Sequence, residues 1–297
     1  LVFKDYLAKI GKSGTRVDLR LGKEEYTLGE TITGSLVIQG GIVAQHINKV
    51  DIDFVIHMQQ HDKVVTHLIK RFSFDKPFQI EPGAERSFPF TYTLPINLLL
   101  SGYSISYSFA TRLDIAQAVD QTDHNPIVIL PPPSLHQIQL ALRQLGFREK
   151  YGSRSFDGYL QKFEFTQTSD IFEEITELQF VAKIETEGIR LLLEVELEEN
   201  HLVRREVRFN PDQLDDLATL VQTLRRLIQD MVDEPQRLGD SKKYYFRDHE
   251  QWSKLGAIGG FAAGLTAGTW FKDDVKVNHD RLRDHSWLHF GGIEEKG

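Results

Sequence analysis

The chain reads as a mainly β protein, two β-sandwiches in tandem followed by a helical, glycine-rich C-terminal extension. Three observations predict this. From Thr15 onward, apolar and polar residues alternate with period two, the signature of strands with one face buried. Gly22, Gly29, the Gly40–Gly41 pair and Pro82–Gly83 punctuate the pattern as turns. No long helical pattern interrupts this region, which argues against a doubly wound α/β fold. The 297 residues are enough for more than one domain. The expected boundaries are 1–130 for the first sandwich, 131–210 for a smaller second one and 211–297 for the extension.

Phe3, Tyr6, Leu7 and Ile10 fall at i, i+3, i+4 and i+7, the stripe of a short helix. Lys4, Asp5 and Lys9 break the apolar run that a signal peptide needs. Next come strands. In TRVDLRL, Val17, Leu19 and Leu21 share a face; in TITGSLVIQ, Ile32, Leu36 and Ile38 do. In INKVDIDFVIHM, Ile52, Phe54, Ile56 and Met58 oppose Asp51, Asp53 and His57. After the Pro82–Gly83 turn, Phe88, Phe90 and Tyr92 line one face of a strand that Pro95 stops. Pro89 within it predicts an edge strand or a bulge, because proline cannot donate to a ladder.

The segments GETITGSLVIQGG, PGAERSFPFTYTLP and YSISYSFATRLDI resemble successive blocks of an arrestin-type N-terminal sandwich. The stretch FKDYLAKIGKSGTRVDLRLGKEEYTLGETITGSLVIQGG is similar to the start of the bacterial sporulation-control family, stage-zero sporulation protein M and its relatives. LDIAQAVDQTDHNPIVI, LRQLGF and FEFTQTSDIFEEITELQFVAKIETEGIRLLLEVELEE agree with it. The resemblance covers roughly residues 1 to 210. It implies tandem arrestin-like sandwiches and a non-enzymatic adaptor or scaffold role in sporulation control or related envelope and cytoskeletal processes. That is analogy from fold to function.

Past Ile129 the prolines of LPPPS predict a stiff linker. A helix follows, with Ser134 as its expected cap, Leu135, Ile138, Leu142 and Leu145 as its buried stripe and Gly146 as its stop. Strand patterns return at YLQKFEFTQ, ELQFVAKIET, IRLLLEVELEE and HLVRREVRF. In the third, Leu191, Leu193, Val195 and Leu197 alternate with Leu192, Glu194, Glu196 and Glu198. The acidic face reads as a solvated surface, with a cationic partner as the sharper alternative.

One long helix is expected from Asn210, its N-cap, through Pro211 to Glu234. Leu214, Leu217, Val221, Leu224, Ile228 and Met231 form a seam of threes and fours, widened by Leu220 and Leu227. It suits docking on the chain's own sheet or a dimeric coiled coil. Gly256, Gly260, Gly264 and Gly268 then recur every four residues. On a helix over Leu255–Phe271 they would line one groove open to another helix, and Trp252 and Trp270 would flank it like interfacial anchors. That helix would be about 25 Å long, short of a bilayer core. Packing on the protein is the other reading.

The net charge is −8, which argues against nucleic acid as the main partner. With no cysteine there is no thiolate nucleophile, disulfide or zinc–thiolate site, and a reducing cytoplasm fits. No Gly-x-Ser-x-Gly elbow occurs, and GKSG at Gly11 lacks the upstream spacing of a phosphate-binding loop. His57, His61 and His67 fall near a hairpin tip and read as solvated. His279, His285 and His289 are the better metal candidate, with His285 and His289 one helical turn apart, but no glutamate stands between them as in zincins. The expectation is a chain without catalytic residues, cofactor or metal. It would bind protein partners in the cytoplasm, with homo-oligomerisation or membrane contact through the glycine-rich segment as the alternative.

Overall fold

The computed structural model describes residues 14–60, 63–116, 118–169, 171–198, 201–234, 245–254 and 256–260. The expected N-terminal helix lies outside them. The chain is mainly β and contains several sheets.

Nine strands build the N-terminal half: β1 Arg16–Leu21, β2 Glu25–Thr27, β3 Thr31–Gln39, β4 Gln45–Gln60, β5 Lys63–Phe74, β6 Phe78–Ile80, β7 Glu85–Thr93, β8 Ile105–Ile115 and β9 Gln121–Leu130. One sheet runs β1-β3-β7. The other runs β2-β9-β8-β4-β5, with β6 also paired to β4. The apolar residues picked out by alternation face each other between these sheets: Val17, Leu19, Ile32, Leu36, Ile52, Phe54 and Phe90 are all buried. Aromatic rings knit the layers. Phe72 of β5 meets Phe90 and Tyr92 of β7 edge-on, at 5.2 and 5.1 Å between centroids. Pro89 sits in β7, at the sheet edge, as its missing N–H requires.

Two residues after β9 the first helix begins, so the proline stretch is a tight joint. Helix α1, Pro133–Gln144, starts one residue before the expected cap, with Pro132 in the N-cap position and no side-chain cap. Proline suits the first helical position because its absent N–H would be unsatisfied there. Leu135, Ile138, Leu142 and Leu145 are buried, as their spacing predicts.

The C-terminal half has β10 Phe147–Glu149, β11 Ser155–Phe156, β12 Gln161–Gln167, β13 Ile175–Glu185, β14 Gly188–Leu197 and β15 His201–Phe209. They form one sheet, β10-β12-β13-β14-β15, with β11 paired to β12. Where a second sandwich is expected, the described layer over this sheet is helical. Helices α2, Pro211–Asp215, and α3, Leu217–Asp233, pack with α1 on the face that carries Leu191, Leu193 and Val195. A three-four stripe covers a sheet face as well as a second sheet would.

The long helix expected from Asn210 is two helices. Asn210 and Gln213 form the capping box at the start of α2. Asp216 then leaves helical geometry and caps α3 by accepting from the Ala218 and Thr219 amides. The whole seam turns inward. Leu214, Leu224, Ile228 and Met231 are buried, and Leu217 and Val221 pack against the same core.

Candidate functional site

The candidate site is the seam where the two halves meet and the C-terminal segment closes over the second sheet. Gln161, at the start of β12, is fully buried. Its Oε1 accepts from the Leu100 amide at 2.7 Å, and its Nε2 donates to the carbonyls of Leu100 at 3.0 Å and Arg154 at 2.9 Å. Leu98, Leu99 and Leu100 belong to a core that runs without a break through both halves. Arg154, a non-glycine residue at φ 66°, is held by Glu149 through two nitrogens and donates from Nη1 to Ser101 O at 3.2 Å. Strain of this kind persists only where surrounding contacts over-determine it. On the outside of the seam, Tyr103 and Tyr151 stand 71% and 82% exposed, their ring centroids 4.9 Å apart.

Helix α4, Tyr245–Lys254, carries the chain back across the sheet. It stops at Gly256. The Gly256 amide donates to Ser253 O and the Ala257 amide to Trp252 O, the paired bonds of a left-handed helix stop at φ 84°. The segment then docks. Gln161 N donates to Ile258 O, Ile258 N to Ala182 O and Gly259 N to Asn97 O. A Cβ on Gly259 would sit 2.7 Å from Gln161 N and 3.0 Å from Leu160 Cα, so this approach requires glycine. Residues 245–254 and 256–260 thus form a strap that touches both halves.

Beneath the strap lies a buried charged cluster. His249 Nδ1 donates to Asp157, whose Oδ1 accepts from the Tyr159 and Leu160 amides at 2.9 and 2.8 Å. His249 Nε2 lies 3.9 Å from Glu194 Oε1, and Glu194 pairs with Arg204 on the next strand at 2.5 Å. Burial pushes the Asp157 carboxyl up, but the bond and charge of His249, with Lys162 and the Leu160 amide, outweigh it and hold the group below its ordinary value. Burial dominates at Glu194 and raises it, against the pull of Arg204, His249 and Lys162. Beside the cluster, Trp252 and Ala257 pack on Leu160, Val181 and Leu192.

Several expectations change here. The acidic face of IRLLLEVELEE is not wholly solvated, because Glu194 is 2% exposed under the strap, beside Arg204 and the His249 ring. Gly256 ends a helix instead of lining one, so it does not share a helical groove with Gly260. Gly260 itself faces the Ser253 backbone, 2.5 Å from where its Cβ would be. Gly264 and Gly268 lie outside the described residues, as do His61, His279, His285 and His289. Among the described residues, no group of three or more His, Asp and Glu is placed to hold a metal ion.

His57 is half-buried rather than solvated. It joins Thr66 Oγ1 at 2.8 Å and Ser108 Oγ at 2.9 Å across three strands, and burial, then His124, lower its pKa. The partner of its Nδ1 is a hydroxyl, where a nucleophilic triad would have a carboxylate. Neither this pair nor the strap cluster lines the open cleft between α1, α2 and the β13–β14 turn, which Ser134, Gln137, Glu185 and Asp215 border.

These features define a mainly β, multi-sheet protein. The fold is similar to the crystal structure of Spo0M, the sporulation control protein from Bacillus subtilis, with a TM-score of 0.59 and 28% identity, covering 73% of this chain and 98% of that one. Residues 3–199 match the family model described as SpoOM protein, and the chain belongs to that family. It is 29% identical over 260 residues to the sporulation-control protein spo0M of Bacillus subtilis strain 168, covering 78% of this chain and 99% of that protein. The strap lies beyond the residues that match the family model.

Proposed function

We propose that the chain is a non-enzymatic, arrestin-like adaptor with a regulatory role in sporulation control or a related envelope or cytoskeletal process. Its two halves, residues 1–130 and 131–210 with the helices that follow, act as one frame that presents sheet edges and loops to protein partners. The observation that carries this reading is the seam. Gln161, Arg154 and Gly259 join the halves through buried or part-buried hydrogen bonds, which suits a rigid scaffold. Membership of the SpoOM protein family supports the sporulation setting. The test has two arms. Deleting the gene in its host should alter sporulation or envelope assembly, and the wild-type gene should restore it. A broad hydrolase and nucleotide-turnover screen of the purified chain should stay blank; robust activity abolished by one point mutation would end the adaptor reading.

The alternative, a peripheral membrane or self-assembling protein working through the glycine-rich segment, gains nothing from residues 256–260, which dock internally. No described helix is long and apolar enough to cross a membrane.

A further inference from the structure

We propose that Tyr103 and Tyr151 are a modification site: one-electron oxidation joins their rings, carbon to carbon, into a dityrosine bridge that staples the first half of the chain to the second. This stands apart from the adaptor reading and does not depend on it.

The two rings are the most exposed of the large hydrophobic side chains described, yet they stand against each other, 4.9 Å apart between centroids and tilted by 51°. Two phenol rings bonded through carbon have centroids only slightly closer, and steric contact keeps such rings twisted. The bond therefore asks for a small shift of groups that water surrounds. Both carriers are anchored. Tyr103 and Ser104 are the tip of a turn closed by Gly102 and Ile105, amide to carbonyl in both directions, at 3.0 and 3.4 Å. Tyr151 and Gly152 are the tip of a second turn, closed by the Ser153 amide on the Lys150 carbonyl at 3.0 Å. The Lys150 amide donates to Glu164 O at 2.8 Å and Ser153 Oγ to Glu149 at 3.0 Å, which fixes this turn to its sheet. Arg154 spans the two turns. It holds Glu149 and the Ser101 carbonyl, and a Cβ on Gly102 would lie 3.6 Å from its own.

Composition directs oxidation to this pair. The chain has no cysteine, so no disulfide can close the joint. Both methionines, Met58 and Met231, are buried, as are Trp252, Tyr26 and Tyr107. Tyr92 and Tyr159 are half-buried. Among the described side chains, the two exposed phenols are what an oxidant in solution meets first.

The oxidant is a peroxidase haem turning over hydrogen peroxide, or another one-electron acceptor. Each phenol gives up one hydrogen atom, the electron and proton of its O–H. The two phenoxyl radicals pair their electrons in a bond between ring carbons ortho to the oxygens. Each of those carbons then loses its hydrogen as a proton, and each oxygen regains one. In the net change two C–H bonds break, one C–C bond forms, and two hydrogen atoms pass to peroxide, which leaves as two waters.

The test treats the full chain, at about 10 µM, with a haem peroxidase and hydrogen peroxide. A pre-positioned pair has an effective concentration of about 1 mM or more, so the internal bridge should outnumber crosslinks between molecules about a hundredfold. The product should run as a monomer on a denaturing gel, weigh two hydrogens less and show dityrosine fluorescence. A tryptic digest should join peptide 151–154 to peptide 87–112. Tyr103→Phe and Tyr151→Phe alter only exposed rings, and each should lower the yield of bridged monomer at least about tenfold. The bridge closes a loop in the unfolded chain, so the treated wild type should unfold at higher urea than the untreated, and treated Tyr151→Phe should not. Crosslinked dimers in excess, a bridge to any other tyrosine, or a full yield from Tyr103→Phe overturns the proposal. A bridged chain with an unchanged urea midpoint overturns the stapling.

Discussion

Gln161 holds Leu100 by both ends of its amide, accepting from the Leu100 N–H and donating to the Leu100 carbonyl. One side chain thus does for a buried loop what a neighbouring strand would do, and the third bond, to Arg154 O, ties in the next turn. Gln161→Leu keeps the volume and removes all three bonds. Buried backbone groups left unsatisfied cost about 1–3 kcal/mol each. The expected loss is about 3 kcal/mol, read as a lower urea midpoint with an unchanged slope.

Asp157 supplies a pH test. Its folded pKa lies below the unfolded value of about 3.9. Its contribution is therefore present above that pH and lost as pH falls through the folded value. Glu194 is raised, so its contribution runs the other way, present at low pH and lost as pH rises through its folded value. The wild-type profile mixes the two; the difference from Asp157→Asn isolates the first. That variant should be less stable by about 3 kcal/mol at pH 7. The gap should narrow as pH falls below about 4. Denaturant titrations at four or five pH values measure it, and a gap independent of pH would contradict the assignment.

The leucine seam of α3 is internal, so cutting it should change stability and not mass. Leu224→Ala should cost about 2–5 kcal/mol, while light scattering returns the wild-type molar mass. A variant that halves in mass would restore the coiled-coil reading of the same residues.

Pro89 keeps the β7 edge from offering a complete ladder. Pro89→Thr returns an N–H on the side away from β3, and a flatter, fully bonded edge templates further strands. The expected outcome is faster aggregation on warming, followed by turbidity, at an unchanged or slightly higher melting temperature.

Sequence reasoning reached what local pattern determines. Phe88, Phe90 and Tyr92 face the core because period two puts them there, and Asn210 and Pro211 open a helix because the cap is written in adjacent residues. The seam and the strap were not legible, since both rest on partners far apart in the chain. Glu194 has the same local sequence whether water or His249 covers it. Gly256 fits a four-residue spacing, yet a positive φ, which spacing does not encode, makes it a stop. Some signals were available. Asp216 precedes Leu217 and Thr219 in the arrangement of a second cap. His249 and Trp252 fall one turn apart on a polar helix, a pattern with little use unless that face is covered.

The order of these parts along the chain has a consequence during synthesis. His249 leaves the ribosome 55 residues after Glu194, a delay of about 3–10 seconds. In that interval the second sheet can form with Asp157, Glu194 and Arg204 hydrated, because the strap that would dehydrate them does not yet exist. The nascent protein is then an open form of itself, and every newly made molecule passes once through a state in which these charges meet water before they are covered.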